Sequence, residues 1–97
     1  MEMRFKDKAL ERLYTDATFD GGYSSNIVRA FRKRMQQIRA AVNERDFRER
    51  GFKFEKLKGS RRHQHSMRLN DQWRLVIELR GSGSDKVVMV VCIEDYH

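Results

Sequence analysis

Residues 66–79 constrain the fold most, because apolar residues fall at alternate positions on both sides of a short polar turn. In Ser66-Met67-Arg68-Leu69 the apolar side chains are the odd-numbered ones, and Trp73, Leu75, Ile77 and Leu79 continue the same parity. A period of two predicts two strands, each with one buried and one open face. The turn decides whether those faces agree. A two-residue loop, Asn70-Asp71, would pair Arg68 with Trp73 and set the apolar sides on opposite faces. A three-residue loop, Asn70-Asp71-Gln72, pairs Leu69 with Trp73, Met67 with Leu75 and Arg68 with Arg74. Only the second gives one continuous apolar face, and register follows that face. Such loops favour glycine at their left-handed position, and this one has none. The register sets Arg68 and Arg74 side by side on the open face, where like charges repel. Either an anion lies between them or both stay solvated; the pattern leaves both readings open.

The rest of the chain reads in order around this hairpin. Met3-Arg4-Phe5 alternates as a short first strand. Asp7 is a helix N-cap, with Leu10, Leu13 and Tyr14 at helical spacing. Asp20-Gly21-Gly22 breaks the chain, and Ser24 or Ser25 caps a second helix. Its inner face is Ile27, Phe31, Met35, Ile38 and Val42. Its outer face carries Arg29, Arg32, Lys33, Gln36 and Arg39, which either stay solvated or meet RNA, ribosome or an acidic partner. Asn43 ends this helix or caps a short turn reaching Arg50, and Gly51 closes it. Phe52 and Phe54 read as a strand, Gly59 to Arg62 as a turn and Gly81 to Asp85 as a loop. Seven consecutive apolar residues, 87–93, predict a strand buried on both faces and therefore central. It would carry Glu94-Asp95-Tyr96-His97 to the edge of the sheet and hold them there. The expected architecture is a single α+β domain over residues 1–97. N-terminal helices pack on one face of a small, antiparallel-rich sheet of about four strands, with an open basic face opposite.

Charge sharpens the functional question. The chain carries +7, with a pI near 10. Residues 24–62 hold thirteen basic and four acidic side chains, whereas both flanks are slightly acidic. A concentrated basic segment beside an open sheet face points to a polyanion, with an anionic membrane surface or an acidic protein as alternatives. Cys92 is the lone cysteine, so no internal disulfide forms, which suits a reducing compartment. The N-terminus lacks an apolar signal core, and no apolar run is long enough to span a bilayer. The expectation is a cytoplasmic protein without membrane contact.

Arginine and lysine stabilise charge that develops on phosphoryl oxygens. Lys58, Arg61, Arg62, Arg68 and Arg74 are the candidates. Arg74 is the strongest, because it lies between two residues of the buried face. A ribonuclease working without metal needs a base for the ribose 2′-OH and an acid for the leaving 5′ oxygen. Glu55, Tyr96 and His97 are the groups available, although Glu55 reads equally well as a surface strand residue. His63-Gln64-His65 has the spacing of a ligand pair, but three histidines and one buried cysteine fall short of a zinc set. No phosphate-binding glycine loop and no nucleophilic serine motif is present.

Phe5-Lys6, Leu57-Lys58-Gly59, His65-Ser66, the run from Asn70 to Arg74, and the closing Glu94-Asp95-Tyr96-His97 together resemble the HigB-type toxins of the RelE/ParE superfamily. The resemblance spans nearly the whole chain. It implies a RelE-like fold and a type II toxin that cleaves mRNA, usually at the ribosomal A site, without a cofactor. It also implies a HigA-like helix-turn-helix antitoxin and binding of operator DNA by the two together. Carried across, Lys58 and Arg74 hold the scissile phosphate. Asp95, Tyr96 and His97 lie at the cleavage site, with His97 the foremost proton-transfer group. Arg61, Arg62, Arg68 and Asp95 are the expected RNA contacts. The family often has histidine two residues before LKG, whereas this chain has Glu55. YoeB-type relatives use Glu, Arg and His in that chain order, so Glu55 as base, Arg74, and His97 as acid form the corresponding set. A ParE-like poison of DNA gyrase and a plain RNA-binding module are the alternatives.

Overall fold

The computed structural model describes residues 1–49 and 51–95. Its elements are β1 (Glu2–Phe5), α1 (Lys8–Thr15), α2 (Ser25–Ala40), α3 (Arg45–Glu49), β2 (Glu55–Lys56), β3 (Gln64–Arg68), β4 (Trp73–Arg80) and β5 (Val87–Asp95). Arg50, Tyr96 and His97, all of them named in the sequence expectations, lie outside the described residues.

Both long helices start where short polar side chains satisfy free backbone donors. The Asp7 carboxylate accepts from the Ala9 N–H at 2.8 Å, and Ser24 Oγ accepts from the Ile27 N–H at 3.4 Å. Such caps contribute about 1 kcal/mol each. Leu10 and Leu13 of α1 and Ile27, Val28, Phe31, Met35 and Ile38 of α2 are buried. They join Met67, Leu75, Ile77, Val88, Val90 and Ile93 of the sheet in one core. The helices therefore cover one face of the sheet, and the other carries mostly polar side chains around a fully buried Val76.

The strands run in the order β1-β5-β4-β3-β2. Met67 lies opposite Leu75 and Arg68 opposite Arg74, the register of the three-residue loop. The loop manages without glycine because Asn70 Oδ1 accepts from the backbone N–H groups of Gln72 (2.9 Å) and Trp73 (2.7 Å). An asparagine side chain thus replaces a left-handed residue in turning the chain.

Several expectations are corrected. The expected first strand is present as β1, parallel to β5 along its free edge, and the sheet has five strands among the described residues where about four were expected. β5 does lie between two strands, but it is not buried on both sides. Val88, Val90 and Ile93 face the helices, while Val87, Met89, Val91 and Cys92 are half-exposed. An irregularity opposite Val76 and Ile77, where Cys92 and Val90 are the successive partners, resets the alternation. Phe52 and Phe54 precede the strand instead of forming it, since Lys53 adopts a left-handed φ of 50°. Their period-two spacing comes from two rings turned into the core, with centroids 6.2 and 5.4 Å from that of Phe47. Val42 is 84% exposed, because Ala41 leaves the helix with extended geometry (φ −67°, ψ 142°). Asn43 Oδ1 then accepts from the Arg45 N–H at 2.9 Å and starts α3.

The outer face of α2 is not uniformly solvated. Arg32 donates to the carbonyls of Leu13, Asp16 and Phe19 at 3.0 to 3.1 Å. It pins the end of α1 and the following loop to α2, which is an internal role. Arg29, Lys33 and Gln36 stay exposed.

The sheet face away from the helices is a lattice of opposite charges. Glu78 is 5% exposed. Its carboxylate accepts from Gln64 (3.0 Å), Arg80 (2.8 and 3.2 Å) and Lys6 (3.3 Å). The Gln64 hydrogen bond, followed by those of Arg80 and Lys6, outweighs burial and lowers the Glu78 pKa from 4.5 to about 2. A carboxyl more acidic in the folded state stabilises the fold above its unfolded pKa and loses that contribution as pH falls through the folded value. Folding stability should therefore drop by at most about 3 kcal/mol between pH 4.5 and 2 on account of Glu78. Lys6 and Arg80 are about half exposed, which keeps the effect below that ceiling. Urea unfolding across this range, with Glu78→Gln alongside, is the check, because the variant should flatten the slope. Equal slopes in both proteins would remove Glu78 from the account.

Candidate phosphate-binding groove

A groove of about 250 Å³ opens on the polar face of the hairpin, and its lining includes Glu55, Ser66, Arg68, Trp73 and Arg74, with Lys53 on one side and the Asn70-Asp71 turn on the other. Strand geometry explains this grouping. Glu55 is opposite Ser66 across β2 and β3, and Arg68 is opposite Arg74 across β3 and β4. Ser66 and Arg68 are two residues apart on one strand, so all four share a face.

The two arginines avoid mutual repulsion because each has its own carboxylate. Arg68 pairs with Asp71 of the turn. Arg74 Nη2 donates to Glu94 Oε2 at 3.1 Å. Glu94 lies opposite Arg74 across β4 and β5, and a second arginine reaches it from the 3₁₀ turn Gly59–Arg61. Arg61 grips both carboxylate oxygens, with Nη2 to Oε1 at 2.5 Å and Nη1 to Oε2 at 3.2 Å. Its Nε donates to Gln64 Oε1 at 3.0 Å. The Arg61 hydrogen bond, and after it that of Arg74, holds the Glu94 carboxyl below its ordinary range against the opposing effect of burial. Burial pushes the nearby Cys92 thiol up, and Glu94 pushes it further.

The expected site residues thus divide. Glu55, Arg68 and Arg74 come together in one groove. Arg61 lies outside the lining of that groove, committed to Glu94. Lys58 and Arg62 flank the 3₁₀ turn at its two ends, and both are exposed. Asp95 lies opposite Trp73 at the end of β5, and its Oδ2 accepts from Gln72 Nε2 at 3.2 Å. His63 Nε2 is 3.6 Å from Glu78, while the His65 ring stacks on Phe54 at 4.6 Å. Burial, reinforced by Arg48 and Lys56 and opposed by Glu44, lowers the His65 pKa. The histidine pair is therefore split between a polar cluster and an aromatic one.

Lys53 and Ser66 escape reasoning from the sequence, and Glu94 enters it only as part of the closing run, without a role. Ser66 is detectable, since it shares parity with Arg68. Lys53 reaches the groove through a left-handed residue that no pattern announces. Glu94 acquires its arginine partners only through the β4–β5 register and the position of the 3₁₀ turn.

Comparison with known proteins adds a family. The family described as RelE-like toxin of type II toxin–antitoxin system HigB matches over residues 3–97. Toxin HigB-1 of Vibrio cholerae serotype O1 is 35% identical over 79 residues, which is 80% of this chain and 83% of that protein. Among solved structures, a YoeB/ParE toxin from Agrobacterium tumefaciens superposes with a TM-score of 0.64 at 18% identity, covering all of both chains. The YoeB–YefM complex from Staphylococcus aureus gives 0.64 at 21% identity, over 100% of this chain and 97% of that one. These two similarities establish a shared fold.

Proposed function

The chain belongs to the HigB-like family of RelE-like toxins from type II toxin–antitoxin systems, and from that membership we propose that it is an endoribonuclease cleaving mRNA at the ribosomal A site. The observation that carries this reading is Arg74. It projects from β4 into a groove that also holds Glu55, and Glu94, its cross-strand neighbour on β5, holds its guanidinium. A planar guanidinium so held suits a phosphodiester, because its N–H fork matches two phosphoryl oxygens.

In the proposed reaction the ribose 2′ oxygen attacks the adjacent phosphorus, and the bond to the 5′ oxygen breaks. Glu55 takes the 2′-OH proton, and His97 gives one to the leaving oxygen, so no net charge is created on either nucleotide. Arg74 and Lys58 neutralise the charge that builds on the phosphoryl oxygens. Tyr96 and Asp95 border the reacting group, and Arg62 and Arg68 bind flanking phosphates. No metal or cofactor is required by this set. Cleavage in the A site stops translation and growth, which places the action in the cytoplasm. No helix among the described residues is long and apolar enough to cross a membrane.

A HigA-like helix-turn-helix antitoxin is the proposed partner, and the two together are proposed to bind operator DNA. The structural neighbour from Staphylococcus aureus is itself a complex of YoeB with YefM, which supports an antitoxin on this scaffold.

Primer extension on a defined mRNA, with and without programmed ribosomes, tests the reading. Cuts appearing only with ribosomes are expected. Intact mRNA accompanied by gyrase-dependent DNA damage would replace the proposal with a ParE-like activity. Salt-sensitive RNA binding without cutting under either condition would leave a binding module.

A further inference from the structure

Arg61 is one of the basic residues the sequence offers to RNA, yet its donors point elsewhere. Nε goes to Gln64, and Nη1 and Nη2 go to the two oxygens of Glu94. Neither Arg61 nor Glu94 is among the residues lining the groove, whereas Arg74 is. Glu94 Oε2 accepts from Arg61 and Arg74 at once. The resulting chain, Gln64 to Arg61 to Glu94 to Arg74, draws on four elements: β3, the 3₁₀ turn, β5 and β4. The pairs are partly sheltered, with side-chain exposures of 39% for Arg61, 28% for Glu94 and 19% for Arg74.

We propose that Arg61 and Glu94 are positioning residues, an Arg–Glu–Arg clamp that fixes the guanidinium of Arg74 at the groove wall. The clamp rests on the endonuclease reading for its consequence and on the geometry for its existence. A free arginine side chain samples many rotamers, and phosphate binding must then immobilise it. Here the carboxylate restrains it beforehand, so the guanidinium meets the developing phosphoryl charge without reorganising. The same carboxylate ties the turn that follows Lys58 to the end of β5, immediately before Asp95. Glu94 thereby sets Arg61, Arg74 and the end of β5 relative to one another.

The test uses the intact protein with Glu94→Gln, Arg61→Met and the double variant. The first readout is NMR of the arginine side-chain N–H groups, with the Arg74 signals identified by their loss in Arg74→Lys. Rotation of the Arg74 guanidinium should be slow in the wild type and faster in both single variants, more so in Glu94→Gln, which removes its partner, than in Arg61→Met, which only loosens it. Slow rotation persisting in both would overturn the clamp. The second readout is cleavage on programmed ribosomes. Each single variant should lose about 10-fold in kcat with KM within about 2-fold, as expected when a reacting group is misplaced. The double variant should be no worse than either single, since all act through one interaction. Losses that multiply, or an Arg61→Met variant whose RNA affinity loses the salt dependence of one phosphate contact, would mean that Arg61 touches RNA directly. That result would overturn the proposal. Should the wild type not cleave at all, the endonuclease reading falls, and the Arg74 rotation decides the clamp by itself. Should Arg61→Met fail to fold, Glu94→Gln carries both readouts.

Discussion

Arg74→Ala should lower ribosome-dependent cleavage by about 10²- to 10³-fold, the loss typical of deleting one preorganised donor to a developing oxyanion. The residue sits on β4, which is hydrogen-bonded to β3 on one side and β5 on the other. Its position is therefore set by two ladders and not by a loop. The substitution leaves Glu94 gripped through both oxygens by Arg61. Neighbouring Leu75 and Val76 are fully buried and unchanged. The fold should survive, and thermal unfolding of the variant should confirm a cooperative transition. Arg74→Lys should fall between the wild type and alanine, because lysine keeps the charge but loses the planar fork. Cleavage by Arg74→Ala at the wild-type rate would remove the groove from the reaction.

His97→Ala should cost about 10²- to 10⁴-fold, the usual contribution of a general acid or base. Protonating a 5′ oxygen near neutral pH favours a group that titrates there, and histidine does so unperturbed. Glu55→Gln is the companion variant. If Glu55 is the base and His97 the acid, kcat plotted against pH should be bell-shaped in the wild type. The alkaline limb should vanish in His97→Ala and the acidic limb in Glu55→Gln. Cuts persisting in His97→Ala with an unaltered profile would move the acid role to Tyr96. Both variants are measured by primer extension, which reports each cut separately from the loss of full-length message.

The hairpin was the most legible part of this protein, and its legibility has a physical basis. Side chains alternate across a strand, so one continuous apolar face admits one register, and that register sets Arg68 against Arg74. The capped helices were legible for a similar reason. Asp7 and Ser24 precede apolar residues at a helical period, and both the cap and the buried face are local properties. Phe52 and Phe54 mislead because two rings turned inward give the same spacing whether or not the backbone between them is a strand. Val42 misleads because periodicity continues past the point where the helix stops.

What the sequence determined by itself is therefore what depends on neighbours in the chain: helix starts, strand faces, the hairpin register and a basic segment beside an open face. What only the tertiary structure decided is which charges meet. Glu94 lies 33 residues from Arg61 and 20 from Arg74, and Glu78 lies 72 from Lys6. Such pairs are fixed by strand order, by one irregularity in β5 and by a parallel first strand. Each of these depends on how far-separated segments share a sheet, and ion pairs carry no periodicity that a linear pattern could reveal.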